Sequence, residues 1–106
     1  MSATTSPVDV LTTIARSLVG AREYPSVDEA LQGMAVSEVQ RRMAYYRRRI
    51  RGLERKYGTD FETFGARLQG GATPAEEDDW LAWRSAHGML ADWQNTYEKL
   101  SARARR

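Results

Sequence analysis

Two stretches of the chain place apolar side chains at alternating intervals of three and four residues. Val36, Val39, Met43, Tyr46, Ile50, Leu53 and Tyr57 form the first, and Trp83, Ala86, Leu90, Trp93, Tyr97, Leu100 and Ala104 the second. That spacing is a heptad a/d seam, and it lines each set along one stripe of a helix. The first helix has a stop signal in Gly58, with Arg55 and Lys56 facing the negative end of its dipole. Gly52, inside it, is the one residue that disfavours helix. The second helix has a start signal: Thr73, Pro74 and Glu76 make a capping box with proline at the first helical position.

Between the seams, Thr59 and Glu62 make another capping box, and Phe61, Phe64 and Leu68 share one face. A short helix ending at Gly70-Gly71 is expected there, folded over the tip of a hairpin made by the two long helices. Upstream, Ser6-Pro7 with Asp9 starts a helix ending near Gly20, with Val10 or Leu11, Ile14 and Leu18 as its apolar face. After the turn AREYPS, Ser26 and Glu29 begin a helical stretch whose apolar phase (Val27, Leu31, Met34) does not continue into the Val36 seam. Two solutions fit this mismatch: a break at Gly33 near Ser37, or one long helix that turns its apolar face. The expectation is thus an all-α, single-domain protein. N-terminal helices occupy 1–35, a basic long helix 36–58, a tip helix 59–71 and a second long helix 73–104, with a basic tail at 103–106.

The 106-residue length supports one domain with a modest core. With no cysteine, disulfides, thiolate chemistry and Cys-based zinc sites are excluded. The opening MSATTSPVDV lacks the basic start and apolar run of a secretion signal, and no stretch reaches the roughly 18 apolar residues of a membrane span. A cytoplasmic protein with no membrane partner and no cofactor is expected.

The net charge of +2 conceals a division. Residues 36–59 hold eight Lys/Arg against two Glu, residues 60–98 hold eight Asp/Glu against two Arg, and Lys99, Arg103, Arg105 and Arg106 add four cations. In an antiparallel hairpin the basic end of one helix meets the acidic start of the other, so the division is expected to be neutralised largely within the chain. On the heptad register Arg41, Arg48 and Arg55 lie outermost and Arg42, Arg47, Arg49 and Lys56 flank the seam. Tyr46 is a core position, which leaves Tyr45 to face solvent. These cations read first as a solvated or ion-paired face, then as a docking face for an acidic protein, then as phosphate contacts.

Other candidate chemistry reduces to structure. Of Glu76, Glu77, Asp78 and Asp79, only Glu76 and Asp79 share a helix face, and capping with the dipole explains the run. His87 beside the second seam has no partner to orient it as a base. GARLQGG lacks the Gly-Lys-Ser/Thr ending of a phosphate loop. No catalytic constellation emerges, and no enzyme is expected. Trp80 and Leu81, and Met89 on the far flank, widen the apolar stripe beyond one partner helix, so they invite the helix at 7–19 or a second subunit.

Glu54, Lys56, Tyr57, Gly58, Phe61, Glu62 and Phe64 spell E-x-K-Y-G-x-x-F-E-x-F, and Glu76, Glu77, Asp78, Asp79 and Trp83 spell E-E-D-D-x-x-x-W. Over about residues 27 to 100 the chain resembles small bacterial and archaeal helical proteins that look like the antitoxin member of type II toxin–antitoxin pairs. The resemblance implies non-catalytic neutralisation of a cognate toxin by occlusion. Trp80, Leu81 and Met89 would serve as anchors, and Arg41, Arg47, Arg48, Arg49 and Arg51 would meet an acidic partner. No ribbon–helix–helix or helix-turn-helix signature accompanies it. Two further readings stay open: sequence-independent nucleic-acid binding through the basic helix and Arg103, Arg105 and Arg106, and a homodimeric four-helix bundle.

Overall fold

The computed structural model describes residues 6–104. It is all-α: α1 spans Pro7–Gly20, α2 Val27–Tyr57, α3 Phe61–Leu68 and α4 Pro74–Ala104. The two 31-residue helices α2 and α4 pack as an antiparallel hairpin, α3 lies on α4 at the tip, and α1 lies on α2. Its radius of gyration is 19.9 Å, where a compact chain of this length has about 13 Å. No helix among the described residues is long and apolar enough to cross a membrane. Of the starting decapeptide, residues 1–5 lie outside the described residues, as do Arg105 and Arg106 of the tail.

Both seams face inward. All seven residues of the first are buried or half-buried, and six of the second are, with only Ala104 exposed. The densest packing is at the tip, where Ile50, Phe64, Trp83 and Ala86 are buried together. Trp83 is the hub: its ring centroid lies 5.5 Å from Phe64, 5.7 Å from Phe61 and 6.3 Å from Tyr57. Offset and tilted pairs of this kind add to the stabilisation from burial alone. A short α3 is therefore held by aromatic packing rather than by its own length.

The capping signals act as local chemistry requires. The Thr73 amide donates to Glu76 Oε1 at 2.9 Å, and the Glu76 amide donates to Thr73 Oγ1 at 3.2 Å, a closed capping box. Ser6 and Ser26 accept from the amides of Asp9 and Glu29 at 3.1 Å each. At α3 the cap is Asp60 rather than Thr59: its carboxylate accepts from the Thr63 amide at 2.7 Å. That amide hydrogen bond, with help from the Thr63 hydroxyl, holds the Asp60 carboxyl below the usual range. Gly58 closes α2 in the left-handed conformation, φ 65°.

Three expectations about the N-terminal third are settled. The helix does not break at Gly33; α2 runs unbroken from Val27. The Tyr24 ring lies where a Cβ at position 33 would stand, 2.2 Å from that point at its hydroxyl, so the glycine makes room for a side chain from the preceding turn. In α1 the fully buried residue is Ala15, while Val10, Leu11 and Ile14 are exposed and only Leu18 of the expected apolar face is half-buried. The chain also leaves α1 through Arg22 at φ 63°, two residues beyond Gly20.

Candidate functional site

The surplus aromatic surface of α4 is covered by α3 and not by α1. Trp80 is half-buried and stacks on Phe61 at 5.7 Å with 20° between the rings. It lies against Gly65, where an added Cβ would meet its indole nitrogen at 3.1 Å, and the Arg84 guanidinium sits 5.6 Å from its ring. Beside this stack opens a groove of about 700 Å³, walled by Phe61, Gly65, Leu68, Ala72, Trp80 and Leu81. Leu81, 55% exposed, stands at its edge. The charged residues of its lining are Glu62 and Glu77, so the groove is apolar with an acidic border.

The residues singled out as anchors and charges are therefore distributed over separate faces. Trp80 and Leu81 share the tip groove. Met89 is exposed and does not line it; nine positions beyond Trp80, it points about 180° away around the helix. None of Arg41, Arg47, Arg48, Arg49 and Arg51 lines the groove either. An arginine rim around these aromatics, as an acidic partner would need, is not what the fold builds.

Nor is the charge division neutralised within the chain. Among the described residues one ion pair joins the basic segment 36–59 to the acidic segment 60–98, Lys56 Nζ to Asp79 Oδ2 at 2.6 Å. The Tyr57 hydroxyl donates to the same carboxylate oxygen. Hydrogen bonds from Lys56 and then Tyr57 hold the Asp79 carboxyl below the usual range, and Asp79 in turn pushes Lys56 and Tyr57 up. Asp79 thus joins the two helices, which capping and the dipole alone do not explain. Arg41 and Arg42 both bind Glu38, Arg42 at 2.9 Å, and Arg42 first among them lowers its pKa. Arg103, assigned by sequence to a basic tail, is tied at the open end of the hairpin. It donates to Asp28 at 2.7 Å and to Gln32 at 3.0 Å, while Gln32 donates to the Leu100 carbonyl at 2.7 Å.

Arg47, Arg48, Arg49, Arg51 and Arg55 have no ion-pair partner among the described residues and are exposed. The heptad register explains why: it sets Arg48 and Arg55 on the side of α2 opposite the seam, out of reach of α4. Tyr45, 45% exposed, stands edge-on to Tyr46 at 4.9 Å, with the Arg49 guanidinium 5.8 Å from its ring. His87 is exposed, 5.4 Å from the Phe61 ring.

Comparison with protein-family models, with curated proteins and with solved structures gave no match. Function must therefore be argued from these surfaces alone.

Proposed function

We propose that this chain is a non-catalytic protein-binding module, an antitoxin-like neutraliser that covers the active surface of a cognate protein with the tip of its hairpin. The observation that carries the reading is the groove between α3 and α4, apolar on its walls and acidic at its border, with Leu81 more than half exposed. Its complement is a partner surface that offers an apolar side chain flanked by Lys or Arg. Buried aromatic and aliphatic anchors supply most of an interface's energy, and the surrounding charges set approach and specificity. The groups with displaced pKa values are accounted for within the fold: Glu38, Lys56, Asp60 and Asp79 lie in caps and ion pairs, and the Tyr57 hydroxyl donates to Asp79.

The test is recovery of the tagged full chain from its host with washes of rising salt, comparing wild type with Leu81→Glu and Trp80→Ala. A stoichiometric small protein that stays with the wild type at high salt, and is lost from Leu81→Glu, is the expected result. Relief of growth arrest by wild type but not by Leu81→Glu, when that protein is expressed, identifies it as a toxin. Leu81 is exposed, so its replacement leaves the fold intact, which circular dichroism verifies. Equal retention by wild type and Leu81→Glu overturns the assignment of the groove.

A further inference from the structure

The outer face of α2 has a local geometry that the docking groove does not use. On a helix surface each residue is flanked by those three and four positions away. For Gly52 these are Arg48, Arg49, Arg55 and Lys56, so the side-chain-less position in mid-helix is ringed by four cations. An added Cβ there would meet nothing within 4 Å. The site is a dimple open to solvent with a cationic rim, and three of its four rim residues have no ion-pair partner among the described residues. Arg51 stands beside it, and Arg41 and Tyr45 extend the line toward the N-terminus, Arg41 to Arg55 spanning about 21 Å at 1.5 Å per residue.

We infer that this face binds the phosphate backbone of nucleic acid without sequence preference, with a phosphate seated over Gly52. Mid-helix amides are already used within the helix and the dimple has no walls, so one isolated phosphate gains little there. A polyanion engages the whole line, and about 21 Å matches roughly six base pairs of duplex at 3.4 Å each. An acidic protein would match the charge, but a stable protein interface also needs buried apolar anchors. Around Gly52 the one large exposed apolar side chain is Tyr45; Leu11 of α1 comes near only at the Arg41 end, where the two line one cavity. Counterion release from phosphates needs no apolar anchor. Glycine matters because it lets a ligand come close to the backbone between the surrounding guanidiniums.

The experiment uses the full chain and a fluorescently labelled duplex of 20 scrambled base pairs, with binding read by anisotropy at several salt concentrations. With four phosphate contacts, from Arg48, Arg49, Arg51 and Arg55, affinity falls about 100-fold between 50 and 200 mM salt. Gly52→Glu is the decisive variant. It places a carboxylate among four cations, improves helix propensity and leaves the core untouched, so it folds at least as well as wild type. It is expected to weaken duplex binding ten-fold or more while still capturing the partner of the tip groove. Leu81→Glu is expected to do the reverse, so failure of one site is distinguishable from failure of the other. Arg48→Gln with Arg51→Gln provides a second route, expected to flatten the salt dependence. The inference is overturned if the duplex does not bind at 50 mM salt, or if Gly52→Glu binds it as wild type does. It is also overturned if a 20-residue Asp/Glu peptide binds as tightly as the duplex at equal salt.

Discussion

The same substitution, glycine to alanine, should have opposite signs at three positions inside the two long helices. At Gly52 and Gly88 an added Cβ would meet no atom within 4 Å, so each replacement gains the difference in helix propensity, about 0.8–1.0 kcal/mol. At Gly33 the methyl would stand 2.2 Å from the Tyr24 hydroxyl oxygen, 2.5 Å from Cζ and 2.7 Å from Cε1. The half-buried ring must then swing away. Displacing a partly buried large side chain costs about 2 kcal/mol, which outweighs the propensity gain and leaves a net loss of about 1 kcal/mol. Removing the ring first should reverse the sign: in a Tyr24→Ala background, Gly33→Ala stabilises by about 1 kcal/mol, a coupling of about 2 kcal/mol across the cycle. Urea unfolding followed by helical ellipticity at 222 nm, with a common slope for all variants, reads these differences directly. If Gly33→Ala raises the midpoint as much as Gly88→Ala does, Tyr24 is not seated on Gly33.

Trp83→Ala empties the hub of the tip cluster and should cost about 3–5 kcal/mol, a large part of the roughly 5–15 kcal/mol available to the domain; a thermal melt that shifts by less than a few degrees would contradict that role. Asp79→Ala should cost about 1–2 kcal/mol at neutral pH, since it removes hydrogen bonds to a charged group at a surface-accessible site. The Asp79 carboxyl is held below its unfolded pKa, so its contribution is complete above about pH 4 and disappears as pH falls through the folded value. Wild-type and variant urea midpoints should therefore converge in acid, and a gap that persists at pH 2 would refute the linkage. On the alkaline side Lys56 and Tyr57 are raised, so their share is present below about pH 10 and is lost as pH rises through the folded values. Arg22→Gly should stabilise by up to about 1 kcal/mol by relieving a left-handed non-glycine residue; an unchanged or lower melting temperature would show that the Arg22 side chain makes a compensating contact.

The long helices were legible because their signals are periodic and redundant: seven seam positions agree on one phase, and a closed capping box marks where α4 starts. The start of α3 was misread by one residue: the sequence pointed to Thr59 with Glu62, whereas the helix begins at Phe61 and the Asp60 carboxylate reaches the Thr63 amide. Why glycine stands at position 33 depends on Tyr24, a residue in a turn, whose ring fills the space over it; no periodicity reports such a contact. Neutralisation of the charge division across the hairpin failed as an expectation for a reason already present in the heptad register, which sets Arg48 and Arg55 farthest from the partner helix. Trp80 was correctly read as apolar surface beyond the seam, but its cover comes from α3 through Gly65, and the acidic border of the groove comes from Glu62 and Glu77. Those two belong to capping and dipole patterns in the sequence, which conceals their second placement.

The polar ties at the two ends of the hairpin have a consequence for how α2 and α4 find each other. Because both seams repeat every seven residues, sliding one helix by a heptad, about 10 Å, again sets apolar side chains against apolar side chains. The Asp79 carboxylate has Lys56 and Tyr57 to meet at one end, and Gln32 meets the Leu100 carbonyl at the other. A slipped alignment forfeits both. These polar ties favour one register, together with Phe64 of α3, which is buried with Ile50 of α2 and Trp83 of α4 at the tip. The stretch between α3 and α4 acts as a tether and not as a ruler: lengthening it between Gly70 and Gly71 leaves each of these marks in place.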